Sequence, residues 1–278
     1  MKDRYAVIGN PIEHSLSPQI HTAFAEQTGQ DMEYLRILGE PERFAAQLRA
    51  FFGTGGRGLN VTVPFKEEAW ELSEERSDRA EAAGAVNTLI LQRDGSLLGD
   101  NTDGVGLVRD LTVNQGFALK GRRILLLGAG GAARGVVRPL LHAEVLQLVV
   151  ANRTPARAQL LVRDLAAVGQ AEGCGLDDLH GRRFDLIINA TASGLGGKVP
   201  QVPDRLLVPG GWCYDLMYGS EPTPFVRWGR SQGASQSLDG LGMLVEQAAE
   251  SFWLWRGVRP DTGPVIQMLR SLGAPRKI

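Results

Sequence analysis

Residues 122–133 read Arg122-Arg123-Ile124-Leu125-Leu126-Leu127-Gly128-Ala129-Gly130-Gly131-Ala132-Ala133. No other stretch restricts the fold as tightly. A short apolar run enters a glycine-rich turn, and small residues then open a helix. Gly128 permits the tight turn, Gly130 lets a pyrophosphate approach the backbone, and Ala133 allows the helix to pack closely on the strand. Free N–H groups at the helix start supply an anion site. The segment therefore predicts a βαβ dinucleotide-binding unit and narrows the chemistry to hydride transfer.

The next apolar run, Val145-Leu146-Gln147-Leu148-Val149-Val150, supplies the second strand of that unit. At its end, where an NAD site places a carboxylate for the ribose 2′-hydroxyl, the chain has Asn152-Arg153-Thr154, with Arg157 one helical turn later. A carboxylate would repel a 2′-phosphate, whereas two guanidiniums meet it with fork-shaped, charge-assisted hydrogen bonds. Arginines on a surface helix are often merely solvated, but these stand where the ribose lies, so NADP is expected over NAD.

Around this unit the chain alternates strand-like and helix-like segments. Strands are expected at Tyr5–Gly9, near Met32–Ile37, near Gly58–Val61, at Phe184–Ala190 and at Gly211–Leu216; helices are expected at Pro18–Gly29 and near Pro41–Phe52. Such alternation predicts an α/β protein with mostly parallel sheets. Gly242–Trp255 has a helical apolar pattern through Leu244, Ala248, Ala249, Phe252 and Trp255, and Pro264–Leu272 forms a further helix. With no strand between them, these helices are expected to return to the first domain. The expected division is 1–103 joined by 240–278, and 104–239 for the nucleotide.

With 278 residues, 43% hydrophobic and 22% charged, the chain has room for two cores. A formal net charge of -1 gives no electrostatic signature for nucleic acid or an anionic membrane. No apolar stretch approaches the length of a membrane span, and Met1-Lys2-Asp3-Arg4-Tyr5 runs directly into a strand. Cys174 and Cys213 lack metal-ligand spacing, no metal site is expected, and a cytoplasmic location is.

Three loop regions carry more polar side chains than turns require. In Gly9-Asn10-Pro11-Ile12-Glu13-His14-Ser15-Leu16-Ser17-Pro18, Ser17 has the place of a helix N-cap, but Ser15 has no such role. The two hydroxyls suit a substrate carboxylate. In Gly58-Leu59-Asn60-Val61-Thr62-Val63-Pro64-Phe65-Lys66, a helix opens on Lys66, the unfavourable end of the dipole for a cation. Only Lys2, Lys66, Lys120, Lys198 and Lys277 are lysines among 30 cationic residues, and an ammonium, unlike a guanidinium, can give up a proton. The third region pairs Gly84-Ala85-Val86-Asn87-Thr88 with Gly99-Asp100-Asn101-Thr102-Asp103-Gly104, where Asp103 has a helix cap as its bland alternative.

Together with Asp239-Gly240-Leu241-Gly242-Met243, these motifs resemble the shikimate dehydrogenases over nearly the whole chain. That family interconverts 3-dehydroshikimate and shikimate with NADP(H), on the route to chorismate and the aromatic amino acids. The resemblance implies an N-terminal α/β substrate domain that reclaims the C-terminal helices, and a Rossmann-type NADP domain. It makes Lys66 and Asp103 the catalytic pair, Ser15 and Ser17 the carboxylate site, and Asn60, Thr62, Asn87, Tyr218 and Gln247 the ring pocket. Gly128, Ala129, Gly130, Gly131, Ala132, Asn152, Arg153, Thr154 and Arg157 would hold NADP, with Leu216 and Gly240 near the nicotinamide. The segments Ser193-Gly194-Leu195-Gly196-Gly197 and Ser220-Glu221 fall outside the family's motifs.

The implied partner is a small molecule, without nucleic acid or membrane, acting on a monomer or homodimer. Two alternatives stand beside this reading: an NAD-using quinate/shikimate dehydrogenase, and a non-catalytic NADP-sensing module. Arg153 and Arg157 argue against the first; Lys66, Asp103 and both serines together argue against the second. The sequence leaves open which of Lys66 and Asp103 is the formal proton donor.

Overall fold

The computed structural model describes residues 2–163, 165, 168–191 and 199–273. The segment Ser193–Gly197 lies outside them. Contacts divide the chain into two units: Met1–Gly106 with Leu244–Leu272, and Leu107–Met243.

The first unit begins with β1 (Asp3–Gly9), α1 (Ser17–Thr28), β2 (Met32–Leu38), α2 (Phe44–Gly53) and β3 (Gly56–Val61). It continues with α3 (Lys66–Leu72), β4 (Glu75–Arg76), α4 (Asp78–Ala83), β5 (Thr88–Leu91), β6 (Leu97–Asp100) and α5 (Asp103–Arg109). Its sheet runs β2-β1-β3-β5-β6-β4. β1 pairs in parallel with β2 and β3, but β5 is antiparallel to both β3 and β6. β4 is parallel to β6, so three of the five pairings are parallel, and the expected mostly parallel sheet is found with one antiparallel strand, β5, set into it. The cause is local: Asp94-Gly95 closes a hairpin between β5 and β6, with Gly95 at φ 92°, the Ser96 N–H donating to Asp94 Oδ1 and the Gln92 N–H to the Ser96 carbonyl. Asp-Gly between two apolar runs is a hairpin signal that alternation of strands and helices does not capture.

Ala6, Ile8, Phe44, Leu59, Phe65, Val86 and Leu89 form the core of this unit, with Phe44 stacked on Phe65 at 4.6 Å. Each such aliphatic side chain stabilises the fold by about 1.5–3 kcal/mol over its exposed state. Gly58 on β3 is required by a close approach: a Cβ there would lie 2.3 Å from Trp255 Nε1. The indole crosses the strand at that point and donates to the Leu89 carbonyl at 3.0 Å. A buried ion-pair group ties the unit together, with Arg79 joining Asp100 at 2.6 Å and Glu250 at 2.8 Å and Arg259 on the other Glu250 oxygen.

The second unit contains β7 (Arg123–Leu127), α6 (Gly131–His142), β8 (Gln147–Ala151), α7 (Pro155–Val162) and β9 (Ala171–Cys174). β10 (Phe184–Asn189), β11 (Leu207–Asp215), α8 (Pro224–Ser231) and β12 (Gln236–Leu238) follow. The chain closes with α9 (Leu241–Arg256) and α10 (Gly263–Ser271), so the divisions between units fall within α5 and α9. From Leu244 onward these helices belong to the first unit, where α10 packs against α1.

The second sheet has the order β12-β11-β10-β7-β8-β9, and every pairing is parallel. Counted along the unit this is 3-2-1-4-5-6, the doubly wound arrangement. Its strands read as unbroken apolar runs because both faces are covered. Ile124, Leu126, Leu148, Val150, Leu186 and Ile188 face one core with Val136, Val137 and Leu140 of α6. Leu125, Leu127, Val149, Ala151, Ile187 and Cys213 face the other with Phe225 of α8. The order reverses between β7 and β10, and the glycine turn leaves β7 at that switch point.

Candidate active site

In the first unit, Lys66 is the first residue of α3 and Asp103 the first of α5. Lys66 Nζ lies 2.5 Å from Asp103 Oδ2, with both side chains largely buried. Asn87 Nδ2 donates to the second oxygen, Asp103 Oδ1, at 2.8 Å. The orientation of the Asn87 amide is set by chemistry, because the Thr102 backbone N–H can only donate and lies 2.9 Å from Asn87 Oδ1. The NH₂ edge must then face Asp103. Gln247 comes from α9, with its Oε1 3.4 Å from both Asn87 Nδ2 and Thr102 Oγ1.

Ser15 and Ser17 also meet: Ser15 Oγ donates to Ser17 Oγ at 3.2 Å, and the Ser17 N–H lies 3.3 Å from Ser15 Oγ. The alternative of Ser17 as a helix N-cap does not hold: it is the first residue of α1, and the cap is Leu16 without a side-chain bond. Its hydroxyl is thereby left for other partners. Arg36 holds the Ser15 carbonyl through Nε at 3.1 Å and Nη2 at 2.6 Å. Thr62 presses its methyl on Gly9, where a Cβ would lie 2.3 Å away.

Asn60 is buried between these two groups. Its Oδ1 accepts from the Tyr34 hydroxyl at 2.6 Å, and its Nδ2 faces the Asn87 carbonyl, Thr88 Oγ1 and Ser251 Oγ at 3.1, 3.2 and 3.1 Å. Burial pushes the Tyr34 phenol well above its ordinary range, partly opposed by a hydrogen bond with Ser17. Beside it, His21 is fully buried and stacked on the Tyr34 ring at 4.2 Å. Burial lowers its imidazole to about 3.

The sequence did not single out Tyr34, Thr88, Arg36 or Ser251. Thr88 ends a motif that was noted for Asn87, and Ser251 follows Gln247 by four positions, which places both on one face of α9. Those were the available signals.

In the second unit, Gly128 adopts φ 107° and its N–H donates to the Ala151 carbonyl at 2.8 Å, which sets the glycine turn beside Asn152-Arg153-Thr154. A side chain at 128 would be strained in that region of backbone space and 3.0 Å from the Ala190 carbonyl. Gly130 and Gly131 face open space, Ala129 is half-buried, Ala132 is exposed, and Ala133 lies on the buried face of α6. Thr154 is the N-cap residue of α7, the Asn152 side chain donates to its carbonyl at 2.9 Å, and Arg153 and Arg157 are exposed. Twelve residues of helix follow the turn with no acidic side chain in the first turn. An open glycine turn, a helix N-terminus and two exposed guanidiniums fit a dinucleotide carrying an extra phosphate.

Leu216 and Gly240 meet in this unit: a Cβ on Gly240 would lie 2.4 Å from the Leu216 carbonyl. Asp215 holds the adjoining turn, accepting from Asn189 Nδ2, Thr223 Oγ1 and the Met217 N–H. Tyr218 belongs to this second unit, whereas the other residues expected around the ring belong to the first. Burial pushes its phenol up to about 12.

A doubly wound parallel sheet with a glycine turn at its switch point, combined with a separate unit carrying a lysine–aspartate pair, defines a dinucleotide-dependent oxidoreductase. Comparison with known proteins makes the assignment narrower. The shikimate dehydrogenase substrate binding domain matches residues 7–89, the shikimate / quinate 5-dehydrogenase family matches 111–195, and the shikimate 5′-dehydrogenase C-terminal domain matches 240–270. A shikimate dehydrogenase (NADP(+)) of Alkalilimnicola ehrlichii is 60% identical over 270 residues, covering 97% of this chain and 99% of that one. Among solved structures, the Ael1 enzyme from Pseudomonas putida is 46% identical with a TM-score of 0.90, covering 96% of this chain and 98% of its own. Shikimate 5-dehydrogenase from Thermus thermophilus in complex with NADP(H) and shikimate is 35% identical with a TM-score of 0.85, covering 97% and 99%. This chain belongs to the shikimate dehydrogenase family.

Proposed function

We propose that the protein reduces 3-dehydroshikimate reversibly to shikimate with NADPH, as a step toward chorismate and the aromatic amino acids. The observation that carries this reading is the 2.5 Å contact of Lys66 Nζ with Asp103 Oδ2, set beside Asn87 in a member of this family. The first unit is the substrate domain and the second the NADP domain. Ser15 and Ser17 hold the substrate carboxylate, and Thr62, Asn87 and Gln247 of the same unit line its ring. Asn60 supports that pocket from behind, since its amide hydrogens face inward partners.

When bound, NADPH supplies a hydride to the ketone carbon. Gly128 to Ala132 would hold its pyrophosphate, Asn152, Arg153, Thr154 and Arg157 its phosphorylated ribose, and Leu216 and Gly240 its nicotinamide. The reduced oxygen gathers negative charge and takes one proton. Asp103 receives hydrogen bonds on both oxygens, from Lys66 and from Asn87, so it acts as an acceptor that orients the ammonium. Lys66 keeps two further N–H groups for the substrate oxygen, stabilises the developing alkoxide and delivers the proton. In the oxidation direction the same amine takes the proton back.

Among the described residues no helix is long and apolar enough to cross a membrane. Cys174 and Cys213 are buried free thiols, in keeping with a cytoplasmic location. The test is absorbance at the nicotinamide band with purified protein, shikimate and NADP, repeated with NAD and with quinate. Turnover with shikimate and NADP well above the other three pairings is expected. Preference for NAD or quinate would point to the quinate/shikimate branch of the family, and no turnover with any pairing to a sensor.

A further inference from the structure

Thr88 is fully buried and faces no open space, yet its hydroxyl touches both of the amides that shape the first unit's polar cluster. The sheet puts it there. Thr88 on β5 is directly opposite Asn60 on β3 and opposite Asp100 on β6, so it sits between two cross-strand neighbours. Asn60 Nδ2 lies 3.2 Å from Thr88 Oγ1, and Thr88 Oγ1 lies 2.8 Å from Asn87 Oδ1.

The direction of each bond is fixed by chemistry. The Asn87 backbone carbonyl can only accept, so the Asn60 edge facing it is the NH₂ edge. The Thr102 N–H can only donate, so the Asn87 edge facing it is the oxygen. Thr88 faces that NH₂ edge and that oxygen, so its hydroxyl accepts from Asn60 and gives its one hydrogen to Asn87, and Ser251 Oγ, 2.8 Å away, is left to donate to it. Followed from Tyr34, donation runs one way: Tyr34 to Asn60, Asn60 to Thr88, Thr88 to Asn87 and Asn87 to Asp103. Chains of aligned hydrogen bonds strengthen one another in a low-dielectric interior.

We propose that Thr88 is a positioning residue of this enzyme, whose hydroxyl joins the buried Asn60 amide to Asn87 and holds the Asn87 amide on Asp103. The proposal rests on the function given above. It does not require Thr88 to touch substrate or cofactor.

The test compares Thr88→Val, Thr88→Ala and Thr88→Ser. Valine keeps the shape, alanine cannot clash, and serine alone keeps the hydroxyl. Loss of a buried neutral hydrogen bond predicts a kcat lower by about tenfold in the valine and alanine variants, with KM for NADP unchanged and serine within about twofold of the parent. A folded valine or alanine variant with parental kcat overturns the proposal, as does a serine variant impaired as much as the other two. The side-chain NH₂ resonances of Asn87 give a readout independent of turnover. They should move in the valine and alanine variants and hold in serine; unmoved resonances in all three overturn the proposal. An inactive parent protein would sink the function instead, and the resonances would still decide the role of Thr88.

Discussion

His21 makes acid sensitivity of this fold calculable. It is fully buried, neither ring nitrogen has a hydrogen-bond partner, and it is walled in by Tyr34, Phe24, Phe252 and Trp255 at centroid distances of 4.2, 6.0, 6.1 and 5.4 Å. Burial depresses its folded value from 6.5 to about 3, with the neighbouring Asn60 side chain opposing the shift only in part. The sign follows directly. Above 6.5 both folded and unfolded chains carry a neutral ring, and the stability of that neutral form is fully present. As pH falls below that value the unfolded chain takes up a proton that the folded chain refuses, so stability is lost until about 3 is reached.

The slope is about 1.36 kcal/mol per pH unit, and the integral from about pH 7 to about pH 4.5 is about 2.5 kcal/mol. His21→Phe keeps a ring against Tyr34 and removes the titration. Urea unfolding of parent and variant at those two pH values isolates the contribution, because the other titrating groups are common to both proteins. The parent should lose about 2–3 kcal/mol more than the variant on acidification. Equal losses would refute a neutral, buried imidazole at this position.

Lys66→Ala should lower turnover by about two to four orders of magnitude while NADPH affinity measured by fluorescence titration stays near the parent value. Near-normal turnover would remove the amine from the proton transfer. Replacing Arg153 and Arg157 by alanine should raise KM for NADPH and narrow its advantage over NADH; an unmoved NADPH:NADH ratio would place the 2′-phosphate elsewhere. Arg79→Met leaves the buried Asp100 carboxylate without its cation and strips one partner from Glu250, so urea unfolding should show a loss of about 3–5 kcal/mol. A change under about 1 kcal/mol would mean that water reaches those carboxylates.

The sequence by itself determined the elements whose physics is local. The turn at Gly128 needs positive φ, and the strands on either side need apolar side chains on both faces, so residues 122–133 and 145–150 could be read as one βαβ unit without any partner in view. Short right-handed crossovers then lead to a doubly wound sheet. The Asp94-Gly95 hairpin is equally local, but alternation of strands and helices does not mark it, nor the antiparallel pairing of β5 that follows from it.

Only the tertiary structure decided which polar groups meet. Lys66 and Asp103 are 37 residues apart, and Asn60 and Ser251 are 191 apart, so no spacing rule connects them. Motif resemblance nominated Asn60 for the ring pocket, yet its hydrogens turn inward because an acceptor-only carbonyl and two hydroxyls surround them. Hydrogen-bond direction is a property of neighbours brought together by the sheet. Composition can supply the donors and acceptors, but the registry of β3, β5 and β6 chooses who gives and who receives.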